Sequence, residues 1–197
     1  MKLLLATNNK HKLIELQSIL GEKIDLSNPS KEGIFFEVDE TGITFEENAK
    51  LKSEHLYKLS HLPSLADDSG IVVDALNGEP GVYSARFGKP EFNDKDRAFY
   101  LLEKMKDQTN RNAHYYCAIS YTDSTGTYFF SDECQGKIEF DYDSSGYGFG
   151  YDPIFTSFEL NKRFSQVSLE EKNKVSHRSK ALKKFTEFFQ KHLITFS

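Results

Sequence analysis

Apolar residues recur along this chain with two different patterns. Some segments repeat leucine, alanine or aromatic residues every three or four positions, which predicts amphipathic helices, whereas short apolar runs predict strands. Helices are predicted at residues 13–20, 45–60, 93–105 and 181–193, and strands at 3–6, 34–38, 65–66, 71–73, 114–121, 127–131 and 135–140. Because the two kinds of element mix throughout, the pattern indicates an α/β fold with a mixed sheet.

Polar residues mark where several of these elements begin or end. Thr44 is followed three residues later by Glu47, which matches a capping box, and Pro63 ends the helix behind it. A second capping box is predicted at Ser168. The sequence Asp-Ser-Thr-Gly at 123–126 predicts the turn of a hairpin.

The chain has 197 residues and a formal net charge of −5. Such a length suits one large domain or a single domain of two lobes, and it allows a substantial core without disulfides or structural metal. The acidic balance provides no basic field for a nucleic-acid backbone, so nucleic acid is not an expected partner. A small anionic ligand stays compatible, because a few local lysines can bind it whatever the global charge.

Cysteine usage and the N-terminal sequence bear on where the protein works. Cys117 and Cys134 are too far apart for a metal knuckle, and we interpret them as buried, reduced thiols, which favours the cytoplasm. The apolar run at 3–6 is too short for the hydrophobic region of a signal peptide. No apolar run is long enough to span a membrane, so we expect a soluble protein without a membrane partner.

The stretch Asp67-Asp68-Ser69-Gly70 is the most informative candidate site. Two adjacent carboxylates beside a hydroxyl and a glycine suit a hydrated Mg²⁺ ion that faces phosphate, because magnesium takes one or two carboxylates and keeps several waters. The same residue types are common in turns, and this tetrapeptide alone is more typical of a turn than of a site. Other segments must therefore decide between the two interpretations.

Residues 7–12, Thr-Asn-Asn-Lys-His-Lys, join the first predicted strand to the first helix. A turn of this kind presents free backbone N–H groups at the positive end of a helix dipole, which suits phosphate. Thr7 and Asn9 can add hydrogen bonds, and Lys12 can add a positive charge. The alternative is a simple helix cap with solvated lysines, and the segment has no glycine of a Walker loop.

Charged residues near the second helix form another candidate group. Glu40 precedes a glycine turn, and Lys52 lies two helical turns after Glu46. A carboxylate at a strand end and a helical lysine can meet the acidic pair at 67–68 across a cleft. Each of them taken singly is more typical of a solvated surface.

The segment at 146–153 alternates three glycines with aromatic residues. Glycine allows the backbone to approach a ligand, and Phe149 and Tyr151 offer faces on which a planar base can stack. The alternative is a glycine-rich hairpin with its aromatics packed inward. Further along lie Lys172 and the His177–Arg178 pair. The imidazole and the guanidinium of that pair can donate to a carbonyl oxygen on a base edge, or these residues are charges at helix ends.

Taken together and in order, these segments resemble the Ham1 family, the pyrophosphatases of non-standard purine nucleoside triphosphates that are also called inosine triphosphatases. The matching blocks run from residue 6 to 178 and read ATNNKHK, ETGITFEENAKLK, LADDSGIVVDALNGEPGVYSARFG, GFGYDPIF and SLEEKNKVSHR. The resemblance implies Mg²⁺-dependent hydrolysis of ITP, dITP and XTP to the monophosphate and pyrophosphate. It also implies a homodimer and one domain over 1–197, with an elongated mixed sheet flanked by helices and two lobes around a central substrate cleft.

Roles can be carried over by matching position. The resemblance makes Asp68 the proton acceptor and, with Glu40, a metal-linked carboxylate, and it leaves open whether Asp67 is a metal ligand. The positions implied to contact substrate are Thr7, Asn8, Asn9, Lys10, His11, Lys12, Lys52, Ser69, Phe149, Gly150, Tyr151, Asp152, Lys172, His177 and Arg178. His11 replaces the glycine of many relatives and Ser53 replaces a common alanine, while 106–140 matches only loosely.

Three other functions compete with this one. The first is a related nucleotide pyrophosphatase of the Maf type that acts on modified or pyrimidine nucleotides. The second is a nucleotide sensor without turnover, against which the carboxylates argue, since a pure anion binder gains nothing from them unless a metal joins them. The third, an acidic interaction module, leaves the phosphate turn and the glycine-aromatic segment without a purpose.

Overall fold

A computed structural model describes residues 2–7, 9–21, 24–146 and 148–195, with only the backbone of His11 and of residues 192–195. The chain divides into two compact units. The first unit comprises Met1–Asp68, Cys117–Asp132 and Arg178–Ser197, and the second comprises Ser69–Tyr116 and Glu133–His177. Each unit is assembled from separate stretches of the sequence, so neither can be cut out as a continuous segment.

Within the described residues, seven strands form one sheet in the order β2-β1-β3-β4-β5-β6-β7. The strands are β1 (Lys2–Leu5), β2 (Asp25–Ser27), β3 (Ser64–Val73), β4 (Asn112–Asp123), β5 (Gly126–Ile138), β6 (Phe155–Ser157) and β7 (Lys162–Arg163). The helices are α1 (Lys10–Leu20), α2 (Phe45–Ser60), α3 (Asp94–Lys104), α4 (Leu169–Asn173) and α5 (His177–Thr195). Strand β1 pairs in parallel with β2 and β3, whereas β6 pairs antiparallel with β5 and β7. The sheet is therefore mixed, as predicted.

The strand predicted at 34–38 does not form, and this prediction was wrong. The segment does not pair with any strand of the sheet, and it contributes a side chain to the core instead. Phe36 is buried with Leu4 and Leu56 in a small core cluster, while Phe35 is exposed. The three-residue strand β2, which the sequence did not predict, takes the edge of the sheet.

Residues 67–70 lie inside a strand, so the prediction of two short strands around a turn was also wrong. β3 runs without a break over ten residues, from Ser64 to Val73. It is a central strand with β1 on one side and β4 on the other, and the pairing on both sides overrides the turn preference of Asp, Ser and Gly.

The predicted hairpin forms with longer strands than expected. β4 and β5 are neighbours in the sheet, and Ser124 and Thr125 make the turn between them. The strand predicted separately at 135–140 is the end of β5, which continues to Ile138.

Both predicted capping boxes are confirmed. The Thr44 hydroxyl accepts from the Glu47 N–H at 3.2 Å, and the Glu47 carboxylate accepts from the Thr44 N–H at 3.2 Å. Ser168 and Glu171 make the same reciprocal pair at the start of α4. These caps satisfy backbone donors at the helix starts and fix where α2 and α4 begin.

Each unit has its own hydrophobic core. In the first unit, α1 and α5 contribute Leu16, Phe185 and Phe189 to a cluster that includes Leu3 of β1 and Cys117 of β4. The core of the second unit includes, among others, Ile71, Leu101, Tyr115, Ile154 and Phe164. The aromatics of the last helix are therefore core residues, as predicted. No helix in the described part of the chain has the length and apolar character needed to cross a membrane.

Candidate active site

Asp67 and Asp68 point to opposite faces of β3, as successive residues of a strand do. The Asp68 carboxylate contacts α2, where Lys52 Nζ lies 3.1 Å from Oδ1. The Asp67 carboxylate contacts residues of α1 and α5, with Lys12 Nζ at 3.0 Å and Arg178 Nε at 3.3 Å from Oδ2. The adjacent acids therefore belong to two separate groups rather than to one pair.

The first group, which we call the Asp68 cluster, consists of Glu40, Asn48, Lys52 and Asp68. Lys52 Nζ lies 2.8 Å from Glu40 Oε1 and 3.1 Å from Asp68 Oδ1, so one ammonium joins two carboxylates. Asn48 Nδ2 donates to Asp68 Oδ2 at 3.3 Å. Asn48 and Lys52 are four residues apart on α2, which places them on the same helix face. The structure thus brings together three of the residues that the sequence analysis selected.

Burial and charge shift the proton affinities in the Asp68 cluster. Burial raises the pKa of the Asp68 carboxyl and Glu40 raises it further, against the opposing effect of Lys52. Burial alone would lower the pKa of Lys52, but Asp68, Asp67 and Glu40 together raise it. Lys52 is therefore held as a cation, whereas Asp68 accepts a proton more readily than an exposed aspartate.

The second group, the Asp67 cluster, consists of Lys12, Glu15, Asp67 and Arg178. Arg178 pairs with Glu15 and also donates to Asp67, and its side chain is only 3% exposed. Burial alone would raise the pKa of Asp67, but Lys12 and Arg178 hold it well below the usual range. The base contact predicted for Arg178 stays a prediction, since the contacts described for its guanidinium are with carboxylates.

The two clusters differ in formal charge, and this difference bears on whether the Asp68 cluster can hold a metal ion. The Asp67 cluster pairs two acids with two cations, whereas in the Asp68 cluster Glu40 and Asp68 share one lysine, Lys52. The Asp68 cluster thus has one negative charge in excess. In the part of the chain that the structure describes, no three His, Cys, Asp or Glu side chains converge as metal ligands. A pair of carboxylates still fits Mg²⁺, which needs only one or two and fills its other positions with water and substrate oxygens.

The predicted phosphate turn leads from β1 into α1. Asn9 N–H donates to Thr7 Oγ1 at 3.1 Å, and Lys12 N–H donates to Asn9 Oδ1 at 3.4 Å. Lys10 is exposed at the first position of the helix. Asn8 and the side chain of His11 lie outside the described residues. The turn therefore supplies a helix start with Lys12 directed to Asp67.

The second unit has a cluster of its own around the Asp152 carboxylate, which is 2% exposed. Lys172 Nζ lies 2.7 Å from Asp152 Oδ2, and the Phe149 N–H donates to the same oxygen at 3.0 Å. Tyr115 donates its hydroxyl hydrogen to Oδ1 at 3.2 Å. A buried carboxylate with three donors fixes the backbone of the glycine-aromatic segment in place.

Aromatic rings surround this carboxylate. The His177 ring stacks on Tyr115 with 4.7 Å between centroids and 8° between planes. Lys172 Nζ lies 4.9 Å from the centre of the Phe149 ring and 5.2 Å from that of Phe164. Lys172 and His177 therefore lie in one aromatic cluster.

Tyr151 and its neighbours complete the description of the predicted residues. The Tyr151 hydroxyl donates to the Ser84 carbonyl at 2.8 Å, and burial raises the pKa of that hydroxyl above its usual range. Gly150 N–H donates to Asp94 Oδ2 at 3.2 Å. Ser69 is half-buried on β3, immediately after Asp68. Tyr151 thus packs inward, as the alternative interpretation of this segment proposed for its aromatics.

Sequence reasoning missed three polar residues of these clusters, namely Glu15, Asn48 and Tyr115. A weak signal existed for Glu15, a charged residue directly beside the apolar Leu16 of α1. Asn48 stands one helical turn before Lys52, on the face already selected. Tyr115 alternates with Cys117 and Ile119 along a predicted strand, which marks an inward face but gives no hint of Asp152.

Comparison with known proteins now identifies the family. A family model described as the Ham1 family matches residues 3–188. The dITP/XTP pyrophosphatase of Leptospira interrogans (serovar copenhageni) is 51% identical over 191 residues, which cover 96% of this chain and 97% of that protein. The dITP/XTP pyrophosphatase of Leptospira biflexa is 50% identical over 187 residues and 94% of each chain. The chain belongs to the Ham1 family, which confirms the resemblance carried by the five blocks.

Solved structures agree with this assignment. The Ham1 protein of Staphylococcus aureus superposes with a TM-score of 0.88 at 37% identity, covering 98% of this chain and all of that one (100%). A HAM1 protein from Coxiella burnetii gives the same TM-score of 0.88 at 32% identity, covering 97% of this chain and 99% of that one. The predicted fold, a mixed sheet flanked by helices, is confirmed.

Proposed function

We propose that this protein hydrolyses ITP, dITP and XTP to the nucleoside monophosphate and pyrophosphate, and so removes non-standard purines from the nucleotide pool. Family membership and relatives named dITP/XTP pyrophosphatases support the proposal. The observation that carries it is the Asp68 cluster, in which one buried lysine joins two carboxylates. An anion-binding sensor would gain nothing from that excess negative charge, whereas a metal-dependent phosphoanhydride hydrolase needs it.

The proposed chemistry is attack of water between the α and β phosphates. Glu40 and Asp68 would hold Mg²⁺, which when bound neutralises phosphate oxygens and activates water. Asp68 accepts the proton of the attacking water as general base. Lys52 stays protonated between the two carboxylates and offsets the charge that develops on the phosphate.

The remaining substrate contacts are assigned by chemistry. We assign the phosphates to the turn of Thr7 to Lys12, where backbone N–H groups meet the helix start. We assign the base to the cluster of Phe149, Asp152, Lys172 and His177. Hypoxanthine and xanthine present a 6-oxo acceptor, whereas adenine presents an amino donor, so donors on His177 or Arg178 would lose their partners with ATP. A site of that kind discriminates by about 10⁴ or more.

Three further properties belong to the same proposal. Mg²⁺ is the cofactor, residues 1–197 work as one domain, and the active form is a homodimer. We also propose a cytoplasmic location, which is compatible with the two cysteines, since both are free and buried in the structure. The prediction of buried thiols is thereby confirmed.

The test is pyrophosphate release from ITP, dITP, XTP, GTP, ATP and dUTP, first with Mg²⁺ and then with EDTA. We expect metal-dependent release from the inosine and xanthosine substrates only. Turnover of dUTP, or of every nucleotide, would contradict the proposal in favour of a Maf-type enzyme. Tight binding of ITP without turnover would contradict it in favour of a sensor.

A further inference from the structure

Asn48 closes a ring of hydrogen bonds within the Asp68 cluster. Its Nδ2 donates to Asp68 Oδ2 at 3.3 Å, and its Oδ1 accepts from the Gly42 N–H at 2.8 Å. On the other side of the ring, Lys52 joins Asp68 to Glu40. Glu40 and Gly42 belong to the same short loop, so two side chains of one helix connect this loop to Asp68. Asn48 is completely buried, with 0% exposure.

The orientation of the Asn48 amide follows from its two partners. A backbone N–H can only donate, so the amide oxygen must face Gly42. The amide NH₂ is then left for the Asp68 carboxylate, which as an anion can only accept. Aspartate or leucine in this place would lose at least one of the two bonds. Asparagine is thus matched to a position between a backbone donor and a carboxylate.

Another buried polar residue of the same helix shows what a purely structural contact looks like. Ser53 Oγ lies 2.7 Å from Ser120 Oγ and 2.8 Å from Thr122 Oγ1. These bonds join α2 to β4 and do not involve the acids of the Asp68 cluster. Ser53 is as deeply buried as Asn48, at 0% exposure, and it provides a matched control on the same helix.

We propose that Asn48 is a positioning residue, which holds Asp68 and the loop carrying Glu40 in the arrangement that binds the divalent metal. Lys52 offsets one of the two carboxylate charges, but a flexible ammonium fixes the relative geometry of the carboxylates poorly. The amide adds the directional bonds that the lysine lacks. This inference deepens the proposed function, since it concerns the same metal-linked carboxylates.

The test measures Mn²⁺ binding to the nucleotide-free protein, with free Mn²⁺ followed by electron paramagnetic resonance. Loss of a residue that orients a metal ligand weakens metal binding by about 10- to 100-fold. We expect a weakening of that size in Asn48→Ala. We expect Ser53→Ala, the matched control, to lower the Tm while the Mn²⁺ affinity stays within about twofold of the wild type, because its bonds lie elsewhere.

A second variant breaks the ring from the loop side. A Cβ added at Gly42 would lie 2.7 Å from Asn48 Oδ1 and 2.7 Å from Glu47 Cβ, so Gly42→Ala must displace the loop. We expect this variant also to weaken Mn²⁺ binding, although it keeps Asn48. It serves as the test if Asn48→Ala does not fold.

The inference is overturned if a folded Asn48→Ala or Gly42→Ala binds Mn²⁺ within about twofold of the wild type. It is equally overturned if the wild type does not bind Mn²⁺. Its failure can be told from that of the proposed function. Asn48-dependent Mn²⁺ binding without hydrolysis of any nucleotide would keep the inference and contradict the function, whereas ITP hydrolysis with Asn48-independent Mn²⁺ binding would do the reverse.

Discussion

Asp67 and Asp68 are neighbours in sequence, yet their carboxylates bind different cations from opposite faces of β3. Asp67 pairs with Lys12 and Arg178, while Asp68 shares Lys52 with Glu40. The pKa of the first carboxylate is lowered by its cations, whereas the pKa of the second is raised by burial. Removing the charge of Asp67 should therefore destabilise the fold, whereas removing the charge of Asp68 should stabilise it.

Asp68→Asn should abolish turnover and leave the metal-free protein at least as stable as the wild type. The substitution removes the proposed base but keeps a side chain of nearly the same size. Because burial disfavours the charged form of Asp68, a neutral amide in its place should raise the Tm by about 2–4 °C for each kcal/mol gained. Steady-state kinetics with ITP and thermal unfolding in EDTA measure the two effects.

The stability difference between the wild type and Asp68→Asn should change with pH in a definite direction. The native pKa of Asp68 is raised above the ordinary value of 3.8, so the native state binds more protons than the unfolded state just above pH 3.8. Wild-type stability relative to Asp68→Asn should therefore fall as the pH rises through the native pKa, and it should stay lower above it. A relative stability that increases with pH in this range would contradict the assignment.

Asp67→Asn should destabilise the fold by about 3 kcal/mol, because it removes the carboxylate that Lys12 and the buried Arg178 share. Its native pKa is lowered, so the stabilisation is present above pH 3.8 and is lost as the pH falls towards the native pKa. Urea denaturation at pH 7 and at pH 3 measures both effects. Equal stabilities of this variant and the wild type at pH 7 would contradict the role of Asp67 as a structural partner of Lys12 and Arg178.

Gly148→Ala should raise the KM for ITP about tenfold or more, because it disturbs the segment that Asp152 holds. Gly148 has a φ of +77°, and a Cβ added there would lie 2.4 Å from Asp152 Oδ2. The control is Gly146→Ala, where φ is +103° but no atom lies within 4 Å of the added Cβ. If both variants change KM equally, the backbone conformation and not the contact with Asp152 is responsible.

Neither cysteine should react with a thiol reagent in the native protein. Cys117 and Cys134 are free and buried. Burial raises the pKa of the Cys117 thiol above its usual range, and the negative charge of the nearby Asp67 raises it further. A protonated, inaccessible thiol is a poor nucleophile. We expect no colour with Ellman's reagent until denaturant is added, and then two thiols per chain. Rapid labelling of the native protein would contradict this.

Local signals predicted the parts of the fold that depend on neighbours in sequence. The capping box at Thr44 and the hairpin turn at 123–126 were both found, because a few adjacent residues determine them. The strand at 34–38 failed for the opposite reason. Whether an apolar run forms a strand depends on contacts with distant parts of the chain, and here Phe36 packs against Leu4 and Leu56 without joining the sheet.

The candidate site shows the same difference between features that local sequence determines and features that depend on distant residues. The blocks of the family selected Glu40, Lys52 and Asp68, and the structure brings these side chains together. No local pattern could reveal that Arg178 pairs with Glu15, a residue 163 positions away. Nor could the sequence decide the role of Asp67, since its partners follow from the face of a strand to which it points, and the sequence suggested a turn at this place.

The most direct test of this account is the identity of the products formed from ITP, followed by ³¹P nuclear magnetic resonance with Mg²⁺ and with EDTA. We predict inosine monophosphate and pyrophosphate in equal amounts with Mg²⁺, and unchanged ITP with EDTA. Release of orthophosphate and inosine diphosphate would contradict cleavage between the α and β phosphates. Cleavage that continues unchanged in EDTA would contradict a metal held by Glu40 and Asp68.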